Sequence, residues 1–536
     1  MRGTMMDFPL TLTTILERAG KLFPKSELVS RLADGSLHRS NYGELHGRAY
    51  ALAEALTRAG LKPGDRVATL CWNHTWHLEA YFGIPLAHGV LHTLNLRLFP
   101  QDIAYIVNDA EDRFLIVDDV LLPLYEKFRE QVKFERVFVV PFGGGSAAGG
   151  HESYEELLKT ATGNFRPPAI DEEDAAAMCY TSGTTGFPKG VVYSHRALVL
   201  HSMMVALPDA CSQSQRDTVM PVVPMFHANA WGWPYSASMI GCKQVFPGCK
   251  LDAVSLLELM EKESVTGAAG VPTLWMPMLA ELDGQPGRWK LQKDMLIFCG
   301  GSAAPEALLR GLDRHGIRMR HSWGMTELTP VGTAALIKKH LQESMSEDEL
   351  YVQRSKQGLP LPFVEARGVN EQGEIPWDGQ AMGELQVRGP FVAGSYYKDR
   401  EPEKWTEDGW FRTGDVVSID SEGTLKIVDR SKDVIKSGGE WISSVDLENH
   451  LMGHPAVLEA AVIGLPHPKW LERPLAAVVL RPNMKATEEE LREWLARKFE
   501  KWQVPDGFAF VDEIPRTATG KFLKTKLRKQ LAEWKW

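Results

Sequence analysis

The sequence predicts an α/β fold with a large N-terminal domain of parallel and mixed sheets, a small β-barrel-like unit and a small α+β C-terminal domain. Short β-branched runs alternate with helix-patterned segments over the first 140 residues or so, which is typical of α/β sheets. After about residue 380, short strands joined by glycine turns predict the β unit. A capped amphipathic helix within the last hundred residues predicts the C-terminal domain.

The alternation starts with the predicted strand DRVATLCWN (65–73), which HLEAYFGIPLAHG (77–89) follows with helical spacing. DRFLIVDD (112–119) is the next predicted strand. A helix-like LLPLYEKFREQV (121–132) then leads to a third strand, FERVFVVPF (134–142). This order of strand, helix and strand predicts a parallel sheet.

The later strands of the β unit are MGELQVRGPFVAGSYY (382–397), DGWFRTGDVVSID (408–420) and GTLKIVDR (423–430). The charged, then glycine-rich DRSKDVIKSGG (429–439) after them has the composition of an interdomain hinge. We therefore divide the chain into an N-terminal domain (1–429), a hinge (430–436) and a C-terminal domain (437–536).

The C-terminal domain contains one well-defined helix signal. Thr487 and Glu490 have the spacing of a capping box, in which each side chain bonds the backbone of the other residue. The residues that follow at helical spacing on one face are Leu491, Trp494, Leu495 and Phe499.

Composition excludes several classes of protein. The chain has 536 residues, 44% of them hydrophobic and 24% charged, with a net charge of −9, so we expect no nucleic-acid partner. No apolar run is long enough to cross a bilayer, and the first residues lack the pattern of a signal peptide. The six cysteines are scattered without a C-x-x-C, which favours free thiols over zinc or disulfides. We predict a cytoplasmic enzyme.

A loop rich in glycine and hydroxyl groups, YTSGTTGFPKG (180–190), has the character of a phosphate-binding loop. It departs from the Walker A motif, because Pro188 and Gly190 stand where that motif requires glycine and then serine or threonine. Backbone N–H groups, hydroxyls and one ammonium together suit a polyphosphate, although a plain surface turn has similar composition. The predicted phosphate ligands are Thr181, Ser182, Gly183, Thr184, Thr185, Gly186 and Lys189.

The full loop resembles the signature of the adenylate-forming superfamily, which comprises acyl-CoA synthetases, nonribosomal adenylation domains and luciferases. Further blocks in the superfamily's order extend the resemblance over nearly the whole chain. They are PMFHANAWGWPY (224–235), GGSAAP (300–305), HSWGMTELTP (321–330), WFRTGD (410–415), IVDRSKDVIKSGGEWIS (427–443) and PRTATGKFLK (515–524). The resemblance implies a mobile C-terminal domain, with the active site between the two domains.

The resemblance also assigns the nucleotide ligands. Thr326 donates to the α-phosphate, and Glu327 binds Mg²⁺ together with Thr184. Asp415 accepts both ribose hydroxyls and Arg430 also reaches the ribose, while the indole of Trp323 stacks on adenine in a position where tyrosine is more frequent. The remaining residues implied at the nucleotide are Gly301, Ser302, Ala303, Ser322, Gly324 and Met325.

For the organic acid, the resemblance assigns His227 a gating role beside the carboxylate. The alternative is an aromatic plug in a half-buried wall. Amino-acid adenylation domains are expected to carry aspartate at this position, so histidine argues against an amino-acid substrate. The predicted acyl channel is lined by Trp231, Gly232, Trp233 and Tyr235.

The last two blocks bring the C-terminal domain into the chemistry. Lys521 is expected to bridge the carboxylate and the α-phosphate, whereas its neighbours Lys524, Lys526 and Arg528 have the pattern of a solvated basic helix face. Lys432 corresponds to the hinge residue of the superfamily. After domain rotation, the coenzyme A contacts are expected at Gly438, Gly439, Glu440 and Trp441. Lys436 is a further candidate, for contact with either coenzyme A or the nucleotide.

The resemblance is strongest to medium- and long-chain fatty acyl-CoA synthetases, which implies ATP, Mg²⁺ and coenzyme A as cofactors and a homodimer as the oligomeric state. A short-chain or methylthiopropionate-CoA ligase is the main alternative. A carrier-protein adenylation module, a luciferase-like oxygenase and a non-catalytic binding relative are weaker ones.

Overall fold

The computed structural model describes residues 1, 3–145, 149–181, 187–437, 440–516 and 522–536, with the side chain of Glu440 excepted. The N-terminal region contains two seven-stranded sheets with helices packed against them. Its helices are Leu12–Leu22, Tyr42–Arg58, Thr75–Leu86, Pro100–Ala110, Leu122–Tyr125, Tyr154–Lys159, His195–Ala206, Trp233–Ile240, Ala253–Glu263, Pro272–Gly284, Glu306–Arg314, Lys339–Ser344 and Glu347–Ser355.

One of these sheets holds the predicted strands. It is parallel except for the pairing of its last two strands, which is antiparallel and brackets the phosphate-loop motif. In spatial order its strands are Glu152–Ser153, Arg136–Val140, Phe114–Asp118, Arg66–Leu70, Val90–Thr93, Ala175–Tyr180 and Gly190–Ser194. The predicted strand–helix alternation is confirmed, but the helix expected over 121–132 is only the short Leu122–Tyr125 with adjoining 3₁₀ turns.

The other seven-stranded sheet is parallel except at its edge hairpin. Its order is Arg318–His321, Leu296–Cys299, Gly267–Gly270, Thr218–Pro221, Lys243–Phe246, Glu27–Arg31 and Leu37–Asn41. The glycine-rich GGSAAP and HSWGMTE motifs begin where two of these parallel strands end. Parallel strands place their carboxyl ends along one edge of a sheet, which is where α/β folds bind ligands.

The small β unit is a five-stranded antiparallel sheet. Its strands pair in the order Gly373–Glu374, Glu365–Asn370, Gly383–Arg388, Phe411–Ile419 and Leu425–Arg430. A separate two-stranded antiparallel pair is formed by Thr333–Ala334 and Leu359–Pro360, which precede this sheet in the chain. The antiparallel register sets Asp415 directly opposite Arg430.

The C-terminal region is α+β, as predicted. Its strands are Ile435–Ser437, Glu440–Ile442, Val457–His467, Leu471–Leu480 and Gly507–Phe510, and its helices are Ser444–Met452, Glu488–Ala496 and Lys524–Gln530. The capping box is confirmed: Thr487 and Glu490 bond each other's backbone, and Leu491 and Leu495 are fully buried. No cysteine is paired in the described part of the chain, and five of the six are buried.

Candidate active site

A cavity of about 510 Å³ lies between the N-terminal and C-terminal regions. Its wall includes Lys189, Thr326 and Glu327 from the first and residues 522–525 from the second. A neighbouring cavity of about 600 Å³ shares Gly301, Ser322 and Gly324 with it and continues along the motifs predicted to bind adenine and ribose. Most of the residues predicted to contact the nucleotide base and ribose line this second cavity, and Met325 lines the first. Those at the second cavity are Gly301, Ser302, Ala303, Ser322, Trp323, Gly324, Asp415 and Arg430.

The phosphate-loop motif is closed at its base. The Thr181 N–H donates to the Lys189 carbonyl at 2.9 Å, and the Lys189 N–H donates to the Thr181 hydroxyl at 3.1 Å. The strands on either side pair antiparallel up to Tyr180 and Gly190, so both ends of the loop are anchored. Its residues Ser182, Gly183, Thr184, Thr185 and Gly186 lie outside the described part of the chain.

Thr326 and Glu327 form a buried 3₁₀ turn that neighbouring segments hold from both sides. The Tyr193 hydroxyl donates to the Thr326 carbonyl at 2.7 Å, and the Ala393 N–H donates to the Glu327 carbonyl at 2.8 Å. The Tyr396 hydroxyl donates to the Glu327 carboxylate at 2.5 Å. The carboxylate therefore has a defined orientation at the cavity wall.

The Asp415 carboxylate has donors at both oxygens. Arg430 Nε lies 2.7 Å from Oδ1, and the indole N–H of Trp323 donates to Oδ2 at 2.8 Å. The indole packs against Gly332, where an added Cβ would lie 2.9 Å from the ring. Three residues far apart in sequence thus form one unit beside the second cavity, and each oxygen retains acceptor capacity for a further donor.

The acyl block has an unusual backbone. Residues 228–231 and Gly232 all have positive φ, between +43° and +75°, a left-handed turn that costs about 1–2 kcal/mol for each residue other than glycine. Gly232 is required, because a Cβ there would lie 2.7 Å from the His201 ring. The turn places His227 and Trp231 at the first cavity, with the Trp231 ring 3.3 Å from where a Cβ on Gly300 would be.

The other predicted channel residues occupy different places. Trp233 and Tyr235 begin the helix Trp233–Ile240, and both side chains are fully buried. Among the described residues that line the two cavities, neither of them nor Gly232 occurs. The apolar wall near Trp231 is instead formed by Val222, Leu251, Val271 and Leu274.

The predicted C-terminal ligands divide into two groups. Lys432 lines the first cavity, beside Arg430. Lys436 and Trp441 face each other across the hairpin of Ile435–Ser437 and Glu440–Ile442, which does not reach either cavity within the described residues. Gly438, Gly439 and Lys521 lie outside the described part of the chain, as does the side chain of Glu440.

The interpretation of Lys524 as part of a solvated basic face is wrong. Its ammonium is buried, lies 2.6 Å from the Glu448 carboxylate and contacts the Ser444 hydroxyl, which in turn donates to Asp429. Burial raises the pKa of Glu448 to about 7, although the nearby ammonium acts in the opposite direction. Lys526 is exposed as expected, and Arg528 pairs with Asp433 at 2.8 Å.

Several cavity residues were not anticipated from the sequence. Tyr396 and Arg97 line the first cavity, and Glu401 lies 2.6 Å from the ammonium of Lys189. None of the three belongs to a motif with a recognisable spacing. The doublet Tyr396-Tyr397 closes the predicted strand segment 382–397, but nothing local distinguishes which tyrosine faces the cavity.

Away from the cavities, Cys71, His74 and Asp118 form a buried cluster with the donor types of a metal site. The His77 N–H donates to His74 Nδ1 at 3.1 Å, which leaves the proton on Nε2, 2.8 Å from Asp118. That tautomer cannot bind a cation through Nε2. His74 of this cluster is the N-cap of the helix Thr75–Leu86.

The fold and the site define a nucleotide-dependent enzyme, and the chain belongs to the AMP-binding enzyme family, which it matches over residues 16–397. The C-terminal domain of AMP-binding enzymes matches over residues 446–521. Among the described residues, no helix combines the length and apolar character that crossing a membrane requires.

Relatives cover almost the whole chain. It is 51% identical to a long-chain-fatty-acid–CoA ligase from Thermus thermophilus, with 98% of this chain and 97% of the relative aligned. It is 44% identical to a medium-chain-fatty-acid–CoA ligase from Ectopseudomonas oleovorans, covering 99% and 98%. A 3-methylmercaptopropionyl-CoA ligase from Ruegeria lacuscaerulensis is also 44% identical, covering 99% of both chains. The crystal structure of an anthranilate CoA ligase with anthranoyl-AMP superposes with a TM-score of 0.86 at 25% identity over 98% of each chain.

Proposed function

We propose that this enzyme joins a medium- or long-chain fatty acid to coenzyme A in two steps, through an acyl-adenylate. One observation carries the proposal: a single cavity joins a cation and a carboxylate, Lys189 and Glu327, to an apolar wall at Trp231. The first pair suits a metal-bound polyphosphate and the wall suits an alkyl chain. The fatty-acid ligases among the relatives support the same activity.

In the first step, a carboxylate oxygen of the fatty acid attacks the α-phosphorus of ATP. The bond to the bridging oxygen breaks, and pyrophosphate leaves with that electron pair. Lys189 and the loop from Thr181 to Gly186 would hold the departing phosphates, and the Thr326 hydroxyl would donate to the α-phosphate. Lys521 would bridge the carboxylate and the α-phosphate, while Asp415 and Arg430 orient the ribose and His227 flanks the acyl group.

Glu327 fits a magnesium site, since it is buried and lines the same cavity as Lys189, the proposed phosphate ligand. Thr184 would supply a second oxygen. Bound Mg²⁺ neutralises phosphate charge as it builds up on the leaving group. In this reaction Glu327 would hold the ion, and the Tyr396 hydroxyl donates to Glu327.

In the second step, the thiol of coenzyme A attacks the acyl carbonyl, and AMP leaves. The hairpin with Lys436, Gly438, Gly439, Glu440 and Trp441 would line the approach of the thiol. Because Lys436 and Trp441 stand away from the cavities, this step requires the C-terminal domain (437–536) to turn on the hinge (430–436) against residues 1–429. Lys432 is the proposed pivot.

The acyl chain length depends on Trp231, whose ring lies across Gly300 and Gly301 at the cavity floor. This ring also favours the second candidate, a short-chain or 3-methylmercaptopropionate ligase, since a fixed indole would shorten the pocket.

The deciding experiment measures AMP release that depends on coenzyme A, for saturated acids from three to sixteen carbons and for 3-methylmercaptopropionate. We expect maximal kcat/KM at eight carbons or longer. A maximum at three or four carbons, or with 3-methylmercaptopropionate, would favour the second candidate, and no AMP release with any acid would contradict both. Trp231→Ala should extend the accepted chain lengths, and unchanged chain lengths would show that the ring does not limit the pocket. The cytoplasmic location and the homodimer stay predictions. The molar mass measured by light scattering during size-exclusion chromatography would test the homodimer.

A further inference from the structure

Tyr396 lies between the Glu327 carboxylate and the Lys189 ammonium and contacts both. Its hydroxyl donates to Glu327 Oε1, and the Lys189 ammonium lies 5.1 Å from the centre of its ring. The side chain is buried, with 4% of its surface exposed, and it lines the first cavity.

The segment 393–401, which carries Tyr396, also contacts the Glu327 backbone and the Lys189 ammonium. The Ala393 N–H donates to the Glu327 carbonyl, and the Glu401 carboxylate lies 2.6 Å from Lys189 Nζ. Trp405 packs edge-on against the Tyr396 ring at 5.2 Å, and its indole N–H donates to the Ala393 carbonyl at 2.7 Å. The ring therefore has few orientations open to it, and the hydroxyl stays directed at Glu327.

The Tyr396 hydroxyl acts as the donor in its contact with Glu327, because a carboxylate oxygen only accepts. A neutral donor takes up one lone pair of the carboxylate and leaves the second oxygen for a cation. The ring face stabilises an ammonium above it without competing for phosphate oxygens.

We propose that Tyr396 is a positioning residue, which orients Glu327 for Mg²⁺ and Lys189 for the β- and γ-phosphates. This inference rests on the proposed function and adds a residue to its phosphate side. Groups that hydrogen-bond a metal-binding carboxylate typically change metal affinity or activity by about 10–100-fold when removed.

The test compares Tyr396→Phe with Tyr397→Phe, which removes a hydroxyl from the next residue along the chain. Tyr397 is half-buried and lines neither cavity in the described part of the chain. Binding of the non-reacting analogue α,β-methylene-ATP is titrated at a series of Mg²⁺ concentrations. For Tyr396→Phe we expect the Mg²⁺ concentration for half-maximal analogue binding to rise about 10–100-fold, and Tyr397→Phe to match the unaltered enzyme.

Two half-reactions complete the test. ATP–pyrophosphate exchange driven by a fatty acid should show the same rise in Mg²⁺ requirement for Tyr396→Phe. Formation of the thioester from synthetic acyl-AMP and coenzyme A should change less than about threefold, because no pyrophosphate takes part.

An unchanged Mg²⁺ requirement in analogue binding would overturn the proposal. Equal losses in both half-reactions, together with a lower urea midpoint, would overturn it in favour of a structural role. The unaltered enzyme could bind the analogue yet catalyse no ATP–pyrophosphate exchange with any of the carboxylic acids. The proposed function would then fail, while the binding comparison would still test the role of Tyr396.

Discussion

At the scale of single residues, the Asp415 carboxylate is oriented by neighbouring hydrogen-bond donors. It is nearly inaccessible, yet both its oxygens have cationic or polar donors, Arg430 and Trp323. A buried carboxylate that loses a donor bears the desolvation cost without compensation. The indole of Trp323 thus contributes a hydrogen bond as well as the flat face that the sequence predicted.

Trp323→Phe separates these two contributions, since it keeps an aromatic face and removes the N–H. A hydrogen bond to a charged group is worth about 1.5–3 kcal/mol, so we expect the KM for ATP to rise about tenfold or more. Steady-state kinetics at saturating acid and coenzyme A measure this. Trp377→Phe, an exposed tryptophan of the β unit, is the matched control. A KM for ATP equal to that of the control would show that the Asp415 carboxylate does not depend on the indole.

At the scale of secondary-structure elements, the helix Lys524–Gln530 is attached through its first residue. Lys524 joins Glu448 of the helix Ser444–Met452, and Ser444 of that helix joins Asp429 at the end of the β unit. One buried cluster of contacts therefore connects three elements, namely the helix Lys524–Gln530, the helix Ser444–Met452 and the strand Leu425–Arg430. Removing one partner of such a pair typically costs about 3–5 kcal/mol, because the other charge is left buried.

Lys524→Met should lower the free energy of unfolding by about 3–5 kcal/mol near pH 8. The loss should be smaller near pH 5, because Glu448, whose pKa burial already raises to about 7, then takes up a proton and loses its charge. Urea unfolding at both pH values measures the difference. Lys526→Met, on the exposed side of the same helix, should stay within about 0.5 kcal/mol of the unaltered protein. An equal loss at both pH values would mean that Glu448 does not carry the unpaired charge.

At the scale of the whole molecule, buried neutral histidines set the response to acid. Burial lowers the pKa of His77 to about 3, with a contribution from the nearby His74, and that of His195 to about 4 and of His201 to about 3. Unfolded histidines titrate near pH 6.5, so below that pH the unfolded chain binds protons that the folded protein excludes. The stability these groups support is present above pH 6.5 and is lost as the pH falls.

We therefore expect the free energy of unfolding to fall steeply between pH 6.5 and 5, by up to about 1.4 kcal/mol per pH unit for each such histidine. Denaturant titrations across this range measure the slope. His201→Asn should flatten the slope, whatever its effect on stability at pH 7.5. A slope that does not change in this variant would assign the acid response to other groups.

The sequence predicted strands within 65–73, 112–119 and 134–142, a capped helix after Thr487 and an α+β C-terminal region. The structure has the strands at Arg66–Leu70, Phe114–Asp118 and Arg136–Val140 and the helix at Glu488–Ala496. These rest on local signals, namely periodicity, β-branched runs and a capping pair, which a short window of sequence contains. Over 121–132 the same reasoning overestimated a helix, because apolar spacing there continues beyond the four residues that are helical.

The chain alone predicted which motifs carry the chemistry: the loop ending at Lys189, the Thr326-Glu327 pair, Asp415 and Arg430. Their residue types and order are written locally, and each block keeps its character without its partners. Only the tertiary structure decided which groups meet. It buried Lys524 against Glu448, 76 residues earlier in sequence, directed Trp231 rather than Trp233 to the cavity, and set Tyr396 between Lys189 and Glu327. The physical reason is that burial and pairing are properties of long-range packing, which a local pattern of charged or aromatic residues does not contain.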